Sequence, residues 1–393
     1  MKTKQGINSN LLLIIIAYLA FISLGLPDGL LGISWPFMSL KLGVPLDALG
    51  VLLISFVAGY LTTSTTSGKI LRIIPIGLLL AISSSITGLS LLAFAYSSHW
   101  YLVIIASFFL GSGGGAIDTS INVFAASRFS ASVVNWLHAF YGIGATSGPF
   151  IITWMLLHDQ EWNHGYIAVG IVQILLALIF LITLKNWKVT AENVEPQHSG
   201  SYTDAFRLPL VWINIFIFFL YTGLEVGVGQ WIFTVLTKSR GISDTQAGLW
   251  TSVYWGSLTV GRIVFGFILT RIPTQKVIIL ALIGVVTGSF LLFINQSHFF
   301  SLTGIILIGV ANAPIFPCLI SITPLQVGAK HSANVIGFLI SAAMIGGAIL
   351  PWFSGLLTDS FGWEVIPLMY LIEAVLLLML YSISRLQFFK DTK

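Results

Sequence analysis

Four acidic side chains stand inside long apolar stretches of the sequence: Asp28, Asp118, Glu225 and Glu373. An ionised carboxylate near the centre of a membrane helix costs roughly 2.5 to 3.5 kcal/mol on insertion scales. Burial favours the neutral form of a carboxyl group, so such a residue can bind a proton and release it when its surroundings change. The chemistry that these residues predict is reversible protonation, together with hydrogen bonding to a polar solute.

The stretch "GGGAIDTSIN" places Asp118 on a helical face of small residues with one amide. Asn122 follows one turn later, where its side chain can reach the carboxyl group. The small residues on this face are Gly111, Gly114, Gly115 and Ala125. Because a lipid-facing stripe would be bulky and apolar, we expect this face to point inward, toward a polar cavity.

Other polar residues in the apolar stretches lie at depths similar to that of Asp118. Pro314 and Pro317 follow one of them, Asn312, and should bend or open its helix. Gln230 and Trp231 join the face of Glu225 only if the glycine-rich backbone around them unwinds slightly. The residues predicted to contact a solute are Asp28, Asn122, His138, Tyr141, Tyr221, Glu225, Gln230, Trp231 and Asn312.

Three of the four acids are candidates for carrying a coupled proton. They are Asp118, Glu225 and Asp28, and each shares a helical face with small or polar residues. Glu373 belongs to the last apolar stretch, which we expect at the periphery of the molecule. We therefore interpret Glu373 as a residue that holds helices together, and expect its replacement to matter less than that of Asp118.

The elements that position these residues are transmembrane helices. The chain is 56% hydrophobic and 8% charged, against about 25% charged for soluble domains. Each apolar run approaches the roughly 20 residues that span a bilayer. The runs lie near 11 to 33, 46 to 67, 73 to 96, 100 to 127, 133 to 157, 166 to 185, 210 to 236, 246 to 269, 276 to 294, 300 to 326, 332 to 357 and 364 to 385. The sequence predicts an all-α integral membrane protein with twelve transmembrane helices.

The twelve helices divide into two bundles of six. We predict an N-terminal bundle over 1–185, a cytoplasmic linker over 186–209 and a C-terminal bundle over 210–393. The first apolar run has no small-residue cleavage site, so we interpret it as an uncleaved helix. Lysine and arginine concentrate in the loops of one side, which predicts a multi-pass protein of the cell membrane with both termini cytoplasmic.

The two predicted bundles resemble each other in short motifs. "GLPDGLLG" in span 1 matches "GLEVGVGQ" in span 7, and "GIGATSGP" in span 5 matches "MIGGAILP" in span 11. Such internal repeats are typical of transporters whose binding site lies near the bilayer midplane. Glycines followed by basic residues also recur after spans 2 and 8, where they predict gating loops. The residues of these loops are Gly68, Lys69 and Arg72, and Gly261, Arg262 and Arg271.

These stretches resemble the fucose:proton symporter family of the major facilitator superfamily, including its sodium-coupled glucose members. The closest likeness is in span 4, where Asp118, Thr119 and Asn122 match the family pattern. Asp28 matches its span 1 acid, and "FLYTGLEVGVGQWIFT" resembles its span 7. The loop motif lacks its usual aspartate, and span 4 carries aspartate where the family usually has glutamate. The resemblance implies the major facilitator fold, a sugar or polyol as solute, and a proton or sodium ion as coupling cation.

Three other functions compete with sugar transport. The main alternative is a major facilitator efflux transporter for drugs, peptides or other small metabolites, but such a site should be mostly aromatic and apolar. An enzyme is disfavoured because no HExxH, GxSxG, phosphate loop or paired cysteine ligands occur, and these absences also predict neither metal nor cofactor. A sensor is disfavoured because it usually needs a cytoplasmic output module, and the sequence shows none. Scattered basic residues predict no nucleic-acid partner, and we expect a monomer in the lipid bilayer.

Overall fold

The computed structural model describes residues 4–187, 206–269 and 271–391, and every regular element in these ranges is helical. Eleven segments of the described chain are long and apolar enough to cross a membrane. The remaining predicted span corresponds to Asp244–Ile268, a helix of 25 residues that is less apolar and contains Arg262. The predicted all-α membrane architecture is confirmed.

The chain forms two compact units, Met1–Val194 and Glu195–Lys393. Residues 188–205, most of the predicted linker, lie outside the described residues. The helices of the first unit are α1 (Lys4–Leu42), α2 (Leu49–Ile73), α3 (Ile76–Tyr96), α4 (Trp100–Arg128), α5 (Ala131–Leu157) and α6 (Asn163–Ile182).

The second unit has one more helix than the first because its fourth span is broken. Its helices are α7 (Pro209–Lys238), α8 (Asp244–Ile268), α9 (Thr274–Ile294), α10 (His298–Asn312), α11 (Ile315–Val327), α12 (Ala329–Phe361) and α13 (Val365–Asp391). The break separates α10 from α11 directly after Asn312. Pro314 and Pro317 have no N–H to donate to the preceding turn, so the helix cannot continue regularly through this point.

The same pattern of helix pairs occurs in both units. In the first, α1 packs on α5, α2 on α4, and α3 on both α4 and α6. In the second, α7 packs on α12, α8 on α10, and α9 on both α10 and α13. Counting α10 and α11 as one span, these are the same pairings, first with fifth, second with fourth, and third with fourth and sixth.

Glycines bring the paired helices of the first unit into close contact. A Cβ atom on Gly144 of α5 would collide with the backbone oxygen of Ile22 on α1. Gly111 and Gly115 of α4 approach the backbone of α2 in the same way, near Phe56 and Tyr60. Helices pack this closely where small residues leave no side chain between them. Two glycines that we assigned to a cavity-facing stripe therefore serve mainly as packing surface against α2.

Candidate functional site

Asp118 accepts hydrogen bonds on both carboxylate oxygens. The Tyr60 hydroxyl on α2 donates to Oδ2 at 2.6 Å, and the Asn122 amide donates to Oδ1 at 2.9 Å. The glycine contacts between α2 and α4 explain how a tyrosine on a neighbouring helix comes this close. Both donors are neutral, so they orient the carboxyl group without giving it a permanent counter-charge.

Asp28 lies in the same region of the first unit. It accepts a hydrogen bond from the Tyr141 hydroxyl on α5, and it is close enough to Tyr60 to interact electrostatically. His138 lies one turn before Tyr141, interacts electrostatically with Asp118 and packs edge-on against the Phe21 ring with centroids 5.6 Å apart.

The first unit therefore gathers the polar residues that the sequence predicted for it, together with Tyr60, which the sequence did not single out. Helices α1, α2, α4 and α5 contribute two carboxyl groups, two phenols, one amide and one imidazole. All of these side chains are at least partly accessible. Such a cluster offers both donors and acceptors to a polyhydroxylated solute, and it contains groups that can bind a proton.

The second unit holds its acid differently. Glu225 on α7 forms a salt bridge with Arg262 on α8, with Nη2 and Oε1 separated by 3.2 Å. It also accepts a hydrogen bond from the Tyr221 hydroxyl one turn earlier. The Tyr254 hydroxyl of α8 donates to the backbone oxygen of Glu225 at 2.7 Å. A fixed positive charge therefore lies against the Glu225 carboxyl group.

Asn312 lies beside this acid at the end of α10. The Tyr221 hydroxyl is 3.1 Å from its backbone oxygen, and its side chain is fully buried near the Tyr254 hydroxyl. Neither amide atom of Asn312 makes a hydrogen bond of ordinary geometry within the described residues. Since a buried amide without partners is unfavourable, this position is suited to receive a polar ligand or water.

Two residues predicted to contact a solute are placed elsewhere. Helix α7 runs without interruption past Gly227 and Gly229, so the expected unwinding at Gln230 and Trp231 does not occur. Trp231 is fully buried, and its indole N–H donates to the backbone oxygen of Pro351 at 2.8 Å. In this structure Trp231 serves the packing of α7 against α12, and Gln230 is buried beside it.

The predicted gating loops are largely helical. Gly68, Lys69 and Arg72 lie in the last turns of α2, and all three are exposed. Gly261 and Arg262 lie inside α8.

Gly261 packs against Val310 and Ala313, while Arg262 pairs with Glu225. Arg271 follows the end of α8 and is exposed. Gly261 and Arg262 therefore lie within the predicted span 246 to 269 and not in a loop, and a gating role for them stays a prediction.

Sequence reasoning missed three contributors to these sites. Tyr60 and Tyr254 were not singled out, because a tyrosine in an apolar span is usually a packing residue. The pairing of Arg262 with Glu225 was also missed, although opposite charges in neighbouring apolar spans were a signal for it. Partners of intramembrane charges are expected inside the bundle.

Comparison with known proteins places these features in a family. The family model of the Major Facilitator Superfamily matches residues 17–243 and 228–391. The glucose/mannose transporter GlcP of Bacillus subtilis is 25% identical over 288 residues, covering 71% of this chain and 70% of that protein. A glucose/galactose transporter of Brucella abortus is 25% identical over 337 residues, covering 81% of this chain and 80% of its own length.

Among solved structures, that of the nucleoside transporter NupG has the same fold. It superposes with a TM-score of 0.80 at 16% sequence identity, covering 95% of this chain and 99% of that chain.

Proposed function

Since the chain belongs to the Major Facilitator Superfamily, we propose that it is a secondary active transporter for a sugar or related polyol. The solute crosses the cell membrane by alternating access, and its movement is coupled to a cation, the proton. The observation that carries this proposal is the polar cluster of Asp118, Tyr60 and Asn122 inside a transmembrane unit.

A sugar suits the chemistry of the first unit. Each hydroxyl of a sugar both donates and accepts, and the cluster provides carboxylate acceptors and amide or phenol donors within one region. Asp28, Asn122, His138 and Tyr141 are the side chains to which we assign hydrogen bonds with the solute. The relatives named for glucose, mannose and galactose transport support this solute class.

We assign the coupled proton to Asp118 rather than to Glu225. Glu225 is already engaged in an ion pair with the Arg262 guanidinium, a partner that carries a permanent charge. Asp118 has two neutral donors, Tyr60 and Asn122, and interacts electrostatically with the imidazole of His138, which is itself titratable, so a proton on Asp118 displaces no permanently charged partner. In this proposal Glu225 and Asn312 bind the solute from the second unit, and Asp28 binds it from the first.

Orientation and assembly are further parts of the proposal. Basic residues concentrate in the loops of one side, which supports a protein with both termini in the cytoplasm. We propose that the protein functions as a monomer. Sodium is the alternative coupling ion against which the proton is to be tested.

Thermal shift of the purified protein tests the solute class. Samples in detergent are heated with a panel of sugars, polyols and drug-like cations. A ligand that binds only the folded state stabilises the protein by about 2.7 kcal/mol when its concentration is about a hundred times its Kd. We expect stabilisation by at least one hexose or polyol. Stabilisation only by apolar cations would instead favour drug efflux.

Uptake into proteoliposomes tests the coupling. The stabilising sugar is supplied outside vesicles that carry an imposed pH gradient, an imposed sodium gradient or neither. We expect accumulation above equilibrium only with the pH gradient. Accumulation driven only by sodium would contradict the choice of proton, and equilibration without accumulation would contradict coupling altogether.

A further inference from the structure

Glu373 is a buried carboxyl group for which neither unit's candidate site has a role. It lies on α13 and is 3% exposed. Neither carboxyl oxygen has a hydrogen-bond partner, and no cation forms a salt bridge with it, within the part of the chain that the structure describes. The other three intramembrane acids all have polar partners.

Among the described side chains, no element packed against α13 brings a counter-charge to this carboxyl group. The elements packed against α13 are α7, α9 and α12. The only acid or base of α9 is Lys276, in its first turn. On α12 the charged or titratable residues stand near its two ends, and on α7 the acid Glu225 is paired with Arg262. These residues are Lys330, His331 and Asp359 on α12 and Tyr221, Glu225 and Lys238 on α7.

The depth of Glu373 follows from a contact one turn earlier on α13. The Tyr370 hydroxyl donates to the backbone oxygen of Gly227 on α7 at 2.7 Å. Glu373 therefore lies level with the glycine-containing segment of α7 that carries Glu225. A second tyrosine, Tyr254 on α8, donates a hydrogen bond to the backbone oxygen of Glu225 itself.

An ionised carboxylate in this position would be buried without a partner, which is among the least favourable arrangements in a protein. A neutral carboxylic acid avoids most of that cost. We propose that Glu373 is a proton-binding site of the second unit, occupied in this conformation and exchanging its proton with water as α7 moves. The exchange step, unlike the occupancy, rests on the proposed transport function.

Infrared spectroscopy of the purified protein tests occupancy without any sugar. A protonated carboxylic acid has a carbonyl stretch well separated from that of a carboxylate. We expect the spectrum of the parent at neutral pH to contain one more such group than that of Glu373→Gln. Asp359→Asn is the matched control, since it removes an exposed acid from the neighbouring helix α12. Loss of no carbonyl band in Glu373→Gln would overturn the proposal.

Two further measurements complete the test. Glu373→Leu fills the same apolar volume without a polar atom, so it reports the same band loss should the glutamine variant misfold. In deuterated buffer the Glu373 band should shift to the deuterated position faster when the stabilising sugar is cycling across the membrane. A band that never shifts would overturn the exchange step without contradicting sugar transport. A band that shifts at the same rate with and without sugar would overturn the link between proton exchange and transport, while the proton site itself would stand.

Discussion

The Arg262 guanidinium lies 3.2 Å from the Glu225 carboxylate, joining α8 to α7 inside the second unit. Their side chains are 23% and 12% exposed, respectively, so the pair is only partly screened by solvent. In the first unit the acid Asp118 has two neutral donors instead. Glu225 is thus held by an ion pair, whereas Asp118 is held by neutral hydrogen-bond donors.

Arg262→Ala should destabilise the protein by leaving Glu225 without its counter-charge. Removing one partner of a buried ion pair costs about 3 to 5 kcal/mol, and partial exposure places this pair toward the lower end. The midpoint of thermal unfolding in detergent measures the effect, with Lys69→Ala as a control for loss of an exposed cation. The double variant Arg262→Ala, Glu225→Gln should recover most of the loss. A double variant as unstable as Arg262→Ala would show that the ion pair is not the cause.

Tyr60→Phe should slow transport because it removes the phenol that orients Asp118. A hydrogen bond to a charged group contributes about 1.5 to 3 kcal/mol, which corresponds to about tenfold or more in rate. Initial uptake into proteoliposomes at equal protein content gives the comparison. Tyr101→Phe, at an exposed tyrosine on α4, provides the control. Equal rates in the parent and Tyr60→Phe would exclude a role for this hydrogen bond in transport.

Arg240 and Glu364 form a second charged cluster, outside the membrane-spanning segments. Arg240 is buried and donates to both oxygens of Glu364, to Ser301 and to the backbone oxygen of Leu292. Burial acts to raise the pKa of Glu364, but hydrogen bonds from Arg240 and Ser239 and the charge of Arg240 outweigh it and hold that pKa below its ordinary value.

Stability from this cluster should depend on pH in one direction. Because the pKa of Glu364 is lowered in the folded protein, its contribution is complete above the ordinary glutamate pKa of about 4.3. The contribution is lost as pH falls through the lowered value. Glu364→Gln should therefore lower the unfolding midpoint at pH 7 and reduce its dependence on acid pH, whereas Asp359→Asn should change neither. An unchanged acid dependence in Glu364→Gln would contradict this account.

The internal repeat could be predicted from sequence because glycines occur at matching positions of the two units. Gly144 stands five residues before Pro149, and Gly346 stands five residues before Pro351. Each brings its helix against a backbone oxygen, that of Ile22 in α1 and that of Phe219 in α7. The acids Asp28 and Glu225 lie six residues after these contact points. They therefore occupy equivalent positions of the two units, one residue away from the register that the short motifs suggested.

Substitution of these glycines tests the repeat. Gly144→Ala and Gly346→Ala should each destabilise the protein by about 1 to 3 kcal/mol, because the new methyl group overpacks a helix contact. Gly337→Ala is the matched control on α12, where no atom lies within 4 Å of the added carbon. The midpoints of thermal unfolding in detergent rank the stabilities of the three variants. A loss in Gly337→Ala equal to that in Gly346→Ala would contradict overpacking as the cause, because alanine at an open helical position is expected to stabilise the protein.

The partners of the acids were harder to predict than the acids themselves. A charge in an apolar span is conspicuous in sequence, whereas Tyr60 and Tyr254 differ little from packing aromatics. Their roles depend on which helices are neighbours and on the rotation of each helix, which come from tertiary packing. The same limit explains Trp231, whose indole looked available for a solute but donates to Pro351 in the core.

Asp118→Asn should abolish energised accumulation while leaving solute binding intact. The amide has nearly the shape of the protonated acid, so it mimics the state with the proton bound but has no proton to release. Tyr60 and Asn122 can still orient it, since both have hydroxyl or amide groups that accept as well as donate. Solute should therefore still stabilise the variant in a thermal-shift assay.

Counterflow separates this loss of coupling from a general loss of transport. Vesicles preloaded with unlabelled solute exchange it for labelled solute without needing to release a proton at each turnover. We expect Asp118→Asn to keep counterflow but to show no accumulation under an imposed pH gradient. Glu373→Gln, which also removes an intramembrane acid, should impair uptake less, because Asp118 remains able to titrate. Undiminished pH-driven accumulation in Asp118→Asn would exclude this carboxyl group as the coupling site, and loss of counterflow and binding together would make it a binding residue instead.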